Sequence, residues 1–340
     1  MSEPRPATRL AQAAPVRRFN AVPHEGEEGL FRQSWYALCR SADVDAGGIV
    51  GCDFLGGKVI VYRDTAGNAH VQSAYCPHLG ADLSLGSVTD RGVRCRFHQW
   101  EYGPDGRCLR TGIGDPAPPT ACLFTFPTRE ALGMIWAFNG LEPLFELAAP
   151  SRPQSVLLMD VAKPLRLHTD PWVVCCNTPD WAHFAMVHRF AFPTEGQNES
   201  LSFERFGVRR KFFATLENGT GPSIDFDVCV RGTGLVLVEG LIEGSWFGVA
   251  ACMNIPQAGL CDFYVVTMVD RSSVKSDDIA RSVLAEYVEI GRRMLAEDSP
   301  IWDTMRFKPG TLTKSDAALA RYLDDLRTFP RANPAADFIR

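Results

Sequence analysis

The chain has 340 residues, 46% hydrophobic and 22% charged, with a formal net charge of −5, an ordinary soluble composition long enough for two domains with ample core. No long basic block favours nucleic acid or an anionic membrane surface, and no apolar run reaches the ~18 residues of a membrane span. Eleven cysteines without framework spacing, and no apolar leader-like stretch in the first residues, predict a reducing, cytoplasmic setting.

In chain order, residues 1–29 read as a polar, Pro-containing arm. From Trp35 to about Glu142, short strand-like stretches alternate with turns. Val59–Tyr62 precedes a turn at Asp64–Asn68, Gly103-Pro-Asp-Gly106 is a strong turn signal, and Ile135–Phe138 reads as the last strand. A small antiparallel β domain over 30–147 follows, and Ala148–Gln154, with two prolines, connects it to a second domain over 148–340.

Two short knots stand in the first domain, Cys76-Pro77-His78 and Cys95-Arg96-Phe97-His98, separated by sixteen residues. Two Cys and two His are what a Rieske-type 2Fe–2S centre needs, with thiolates on one iron and imidazoles on the other. Zinc is the rival for a Cys₂His₂ set. Zinc loops group like ligands, whereas here the types alternate, which suits a cluster clamped between two equivalent loops. Pro77 stiffens the first loop, and Leu79, Phe97, Trp100 and Tyr102 are expected to shield the centre from water.

The second domain contains Asn177-Thr-Pro-Asp180-Trp-Ala-His183-Phe-Ala-Met-Val-His188. Two His in a largely apolar segment suit a mononuclear iron site of two imidazoles and one carboxylate, which leaves positions open for oxygen and substrate. Histidines four apart on a helix sit ~40° apart, but five apart sit ~140° apart. A helix here must therefore bulge or end between His183 and His188. Asn177 reads equally as a helix cap or a neighbour of the metal, and Cys175-Cys176 as buried small residues.

The third ligand comes from the best helix, which begins at Ser276 as N-cap before Asp277 and Asp278. Its apolar stripe runs Val283, Leu284, Tyr287, Val288, Gly291, Met294, Leu295, and the next position on it is Asp298, then Ile301 and Trp302. A carboxylate on the buried side of a helix is costly unless paired or metal-bound, so Asp298 is assigned. Glu297 and Asp303 fall off the stripe and read as solvated charges, and His24, His70 and His168 read as ordinary polar residues.

Cys76-Pro-His-Leu-Gly-Ala-Asp-Leu-Ser-Leu-Gly86, Cys95-Arg-Phe-His-Gln-Trp-Glu-Tyr102 and the Asn177–His188 segment resemble the Rieske non-haem iron oxygenases. Respiratory Rieske proteins carry an extra Cys in each loop, where this chain has Ala81 and Phe97. Tyr75–Asp82 and Glu297–Trp302 most resemble the branch of 3-ketosteroid 9α-hydroxylases and cholesterol 7-desaturases. Many aromatic-ring dioxygenases have Arg after the first His, where Leu79 stands here.

The resemblance implies an α+β protein, an N-terminal antiparallel β Rieske 2Fe–2S domain joined to a C-terminal helix-grip (START-like) catalytic domain. It implies a terminal oxygenase component (alpha) that receives NAD(P)H electrons through a separate reductase or ferredoxin. Fe(II) on His183, His188 and Asp298 then uses O₂ to hydroxylate an apolar, steroid-like or polycyclic substrate. It also implies a homotrimer in which Asp180 bridges His183 to His98 of a neighbour's cluster. Oxidative O- or N-demethylation or ring cis-dihydroxylation on the same scaffold is the alternative. A Rieske electron carrier without catalytic iron is a remoter one.

Overall fold

Alternation of apolar and polar residues builds the dominant element of the computed structural model, an eight-stranded antiparallel sheet in the second half of the chain. Along Ser223–Arg231, Ile224, Phe226, Val228 and Val230 are buried while Asp225 and Asp227 point away, as the two-residue period of a strand requires. The strands run in the order Leu157–Val161, Cys261–Asp270, Ser245–Asn254, Leu235–Ile242, Ser223–Arg231, Gly207–Thr215 and Ser200–Glu204, with Leu165–Leu167 also paired to Cys261–Asp270. Phe212 and Phe226 are direct cross-strand partners with ring centroids 4.9 Å apart, the kind of contact that pins register. The described residues are 21–193, 200–242, 244–308 and 312–340. The first twenty residues of the expected arm lie outside them.

Both faces of this sheet are covered. Leu235, Val236 and Leu237 are buried in succession, so the alternation gives way to a continuous apolar run. Val236 faces a core shared with the long helix, whereas Leu235 and Leu237 face Trp35, Trp136 and Phe138 of the N-terminal lobe. That helix, α3 (Asp277–Thr304), follows two short helices, α1 (Pro171–Cys175) and α2 (Trp181–Met186). The expected N-cap is present: the Ser276 hydroxyl accepts from the Ile279 N–H at 3.3 Å. The stripe is also where it was expected, with Leu284, Tyr287, Asp298 and Trp302 buried. Pro300 lies inside the last turns, where it withholds an N–H from the Ala296 carbonyl. Sheet and helix make the helix-grip arrangement. Among the described residues, no helix is long and apolar enough to cross a membrane.

The N-terminal lobe holds three antiparallel sheets. In the central strand Gly57–Arg63, Val59 and Val61 face one core, and Ile60 and Tyr62 face another that lies under Cys76 and Cys95. A small sheet, Ser87–Thr89, Gly92–Arg94, Glu101–Tyr102 and Cys108–Arg110, carries the second ligand loop. Full burial of each large side chain here stabilises by roughly 1.5–3 kcal/mol.

Both ends of the described chain are stitched across the lobes. Glu25 and Arg32 form a fully buried ion pair at 2.7 Å, and an Arg32 N–H donates to the Leu326 carbonyl at 3.3 Å on α4 (Ala317–Arg327). Phe31–Arg32 then pairs antiparallel with Arg331–Ala332. The last helix, α5 (Ala336–Ile339), drives Ile339 into the core around Phe54 and Val59. Nothing in the sequence after Phe307 had suggested this return.

Candidate functional site

The two cysteine–histidine loops have the same backbone. Cys76 N–H donates to the Ala81 carbonyl at 2.9 Å and Gly80 N–H donates to the Cys76 carbonyl at 2.8 Å. In the second loop, Cys95 N–H donates to Trp100 at 2.8 Å and Gln99 N–H to Cys95 at 3.1 Å. Gly80 and Gln99, each four residues after its cysteine, both adopt positive φ, +76° and +59°. Glycine does this freely, whereas Gln99 holds the conformation at a cost of about 1–2 kcal/mol. The equivalence expected from the alternating motif is thus a backbone fact.

The loops present two buried thiols and two adjacent imidazoles. Cys76 and Cys95 are buried, and the His78 and His98 rings lie 4.7 Å apart. His78 Nδ1 is buried with no hydrogen-bond partner, a costly state that a metal bond relieves. Trp100 stacks on His78 at 4.4 Å with 9° between planes, and the Tyr102 hydroxyl lies 3.0 Å from Cys76 Sγ. Burial pushes the Cys76 thiol up, so the charge of a bound iron is what favours its thiolate there. Two of the four expected shielding residues are misplaced. Leu79 and Phe97 are 67% and 63% exposed, because they ride the outward tips of the loops, and only Trp100 and Tyr102 cover the centre.

The second constellation forms where α2 ends. Asp180 is the N-cap of α2, its Oδ1 accepting from the His183 backbone N–H at 3.1 Å. The helix stops at Met186, as the five-residue separation required, and His188 turns back toward His183. Their Nε2 atoms lie 3.6 and 3.4 Å from the two oxygens of Asp298, and one donor atom from each residue falls within 4.8 Å of the others. A divalent ion bound at about 2.1 Å by each donor spaces neighbouring donors by about 3 Å. The two carboxylate–imidazole spacings are close to that, and all the donor atoms lie within 4.8 Å of one another. His188 and Asp298 are buried. Burial lowers the His183 pKa, keeping it the neutral ring a metal requires. Burial also works against the His188 cation, yet the Asp298 and Glu297 carboxylates leave its pKa raised.

Several residues differ from their sequence reading. Glu297 is not a solvated charge: its Oε2 lies 3.0 Å from His188 Nδ1, and its other oxygen pairs with Arg189. Asp303 accepts from the His168 backbone N–H at 2.8 Å and lies 3.0 Å from its Nδ1. His24 pairs with Asp170 at 2.8 Å and His70 with Asp64 at 2.9 Å. The Asn177 amide nitrogen sits 3.1 Å from His183 Nε2, the nearer-to-metal of its two readings. Cys175 and Cys176 are buried as expected.

Asp298 also lines a cavity of about 160 Å³ between α3 and the sheet. Its walls include Phe226, Phe247, Val249, Phe263, Tyr287 and Met294, and among the described residues Asp298 is the single charged group in it.

Residues 34–127 match the Rieske [2Fe-2S] domain family. The N-terminal lobe is a Rieske domain. The resemblance to Rieske oxygenases extends past it. The chain is 33% identical over 231 residues to the oxygenase component of chloroacetanilide N-alkylformylase from Rhizorhabdus wittichii, covering 62% of this chain and 66% of that protein. It is 28% identical over 184 residues to a 3-ketosteroid-9-alpha-monooxygenase oxygenase component from Rhodococcus rhodochrous, covering 49% of this chain and 46% of that one. To the cholesterol 7-desaturase of Bombyx mori it is 35% identical over 125 residues, covering 35% and 27%. The chain thus spans from about a quarter to about two thirds of the length of these relatives. Among solved structures, Pseudomonas putida NdmA with theobromine superposes with a TM-score of 0.67 at 19% identity, covering 87% of this chain and 90% of that one. Dicamba monooxygenase bound to dicamba gives 0.66 at 16%, covering 87% and 97%. These likenesses show that the Rieske lobe and the helix-grip lobe together are a Rieske-oxygenase fold.

Proposed function

We propose that this protein is the terminal oxygenase component of a multicomponent Rieske system that hydroxylates an apolar, uncharged substrate of steroid-like or polycyclic type. The observation that carries the reading is Asp298, which completes a two-His, one-carboxylate donor set and at the same time lines the apolar cavity. Cys76, His78, Cys95 and His98 would hold the 2Fe–2S cluster, and His183, His188 and Asp298 the iron. When bound, the cluster supplies electrons one at a time and the iron supplies dioxygen activation. Electrons come from NAD(P)H through a separate reductase or ferredoxin, and the protein works in the cytoplasm.

The chain's own residues do the rest. Phe226, Phe247 and Phe263 exclude water from the cavity, and their lack of charge selects a substrate without an ionic group. Asn177 places an amide beside His183, at the edge of the donor set. Head-to-tail contacts of a homotrimer place His98 of one copy near Asp180 of the next. Asp180, half exposed beyond its capping bond, carries the electron route between them.

A second reading is oxidative N-dealkylation, favoured by the similarity to the chloroacetanilide N-alkylformylase component. A single turnover decides between them: chemically reduced protein shown to contain both metals, ¹⁸O₂, and either a 3-ketosteroid or an N-alkyl chloroacetanilide. One labelled oxygen retained in the steroid supports hydroxylation. Release of the N-alkyl group supports dealkylation, and no product from either discards both substrate classes.

A further inference from the structure

The residues that flank two of the proposed ligands are tied to one another. His188-Arg189 leaves the end of α2, and Glu297-Asp298 lies near the end of α3, so each segment offers one ligand and one neighbour. Asp298 Oδ2 stands 3.4 Å from His188 Nε2, while Glu297 Oε2 stands 3.0 Å from His188 Nδ1. Two consecutive carboxylates therefore grip opposite nitrogens of one imidazole. The remaining Glu297 oxygen is taken by the Arg189 guanidinium.

We propose that Glu297, held in place by Arg189, is a positioning residue that fixes the tautomer and aim of His188 toward the metal; this rests on reading His183, His188 and Asp298 as the metal site. An Nδ1–H that donates to a carboxylate leaves the lone pair on Nε2, on the side of Asp298 and His183. The ring is buried, 4% exposed at its side chain, and Nδ1 faces the Glu297 carboxylate.

The backbone points the same way. Arg189 sits at φ +55°, a left-handed conformation that glycine adopts more cheaply. It is kept there by the Asn218 N–H, which donates to the Arg189 carbonyl at 2.9 Å. The side chain carried at this glycine-favouring position reaches Glu297 with its far end. The competing view is a surface ion pair, since Arg189 is 60% and Glu297 29% exposed. Such pairs contribute little to stability, and that view predicts no effect on a metal.

The test uses full-length protein with its oxidised, EPR-silent cluster intact and the mononuclear metal replaced by Co(II). Equilibrium dialysis gives the Co(II) affinity, and EPR gives the symmetry of its site. The expected result is a tenfold to hundredfold loss of affinity in Glu297→Ala with a changed Co(II) signal. Glu297→Gln, which still accepts from Nδ1 but has no charge, falls between that variant and the parent. Arg189→Gly, which suits the local backbone, shows a smaller loss in the same direction. An unchanged Rieske absorption spectrum certifies each fold, and if Glu297→Ala loses it, the isosteric Glu297→Gln decides. Parent-like Co(II) affinity and signal in Glu297→Gln and Arg189→Gly overturn the proposal. Absence of Co(II) binding in the parent overturns the metal-site reading itself, a separate failure.

Discussion

The Tyr102 hydroxyl lies 3.0 Å from Sγ of Cys76, with both side chains buried. A hydrogen bond to a cluster sulfur favours the more negative, reduced state and is one of the levers on potential. Tyr102→Phe is expected to keep the cluster and lower its reduction potential by on the order of 50 mV, the equivalent of about 1 kcal/mol for one electron. Protein-film voltammetry measures it. An unchanged potential removes Tyr102 from the tuning of the cluster.

Two glycines are expected to respond in opposite senses. A Cβ at Gly57 would stand 2.3 Å from the Ile339 carbonyl oxygen, whereas one at Gly291 on α3 would meet nothing within 4 Å. Gly57→Ala should cost about 1–3 kcal/mol by forcing α5 off the Rieske lobe. Gly291→Ala should gain roughly 0.5–1 kcal/mol of helix stability. Thermal unfolding of the two variants should shift to opposite sides of the parent, and a shared direction would refute this account of the C-terminal return.

The pH response of the N-terminal contact follows from His24. Its pKa is raised, first by the hydrogen bond to Asp170, so the folded state holds the proton more tightly than the unfolded chain. The contribution is fully present below the ordinary value of 6.5 and is lost as pH rises through the raised folded value. The side chain is 61% exposed, so solvent screening keeps the effect below about 1 kcal/mol. His24→Gln should therefore be less stable than the parent at pH 6 and nearly equal to it at about pH 9. A gap that widens with pH reverses the assignment.

Asp180→Asn separates capping from wiring. Asparagine caps a helix as well as aspartate, so α2 and both metals should survive. Electron transfer from cluster to iron, followed by stopped-flow absorption, should slow at least tenfold because the charge is gone. Parent-like transfer leaves Asp180 as a cap only.

Much of the site was legible because its signals are local. The Ser276 cap and the stripe through Asp298 both lie within one helix, and the five-residue spacing of His183 and His188 forbids a regular helix between them if both face one metal. Glu297 was misread for a physical reason. Its angle on α3 points away from the core stripe, but the chain leaving α2 covers that flank and supplies His188 and Arg189. Leu79 and Phe97 failed the opposite way, being apolar residues on loop tips that face outward. The pairing of Phe31–Arg32 with Arg331–Ala332 joins segments about 300 residues apart, and no pattern in either segment announces its partner.

The central claim is that the chain holds two metal centres, one in each lobe. Iron and acid-labile sulfide should be counted per chain in anaerobically purified, reconstituted parent and in His183→Ala. The account predicts three irons and two sulfides for the parent, and two irons with an intact Rieske spectrum for the variant. Two irons in both proteins would contradict it and leave a Rieske electron carrier.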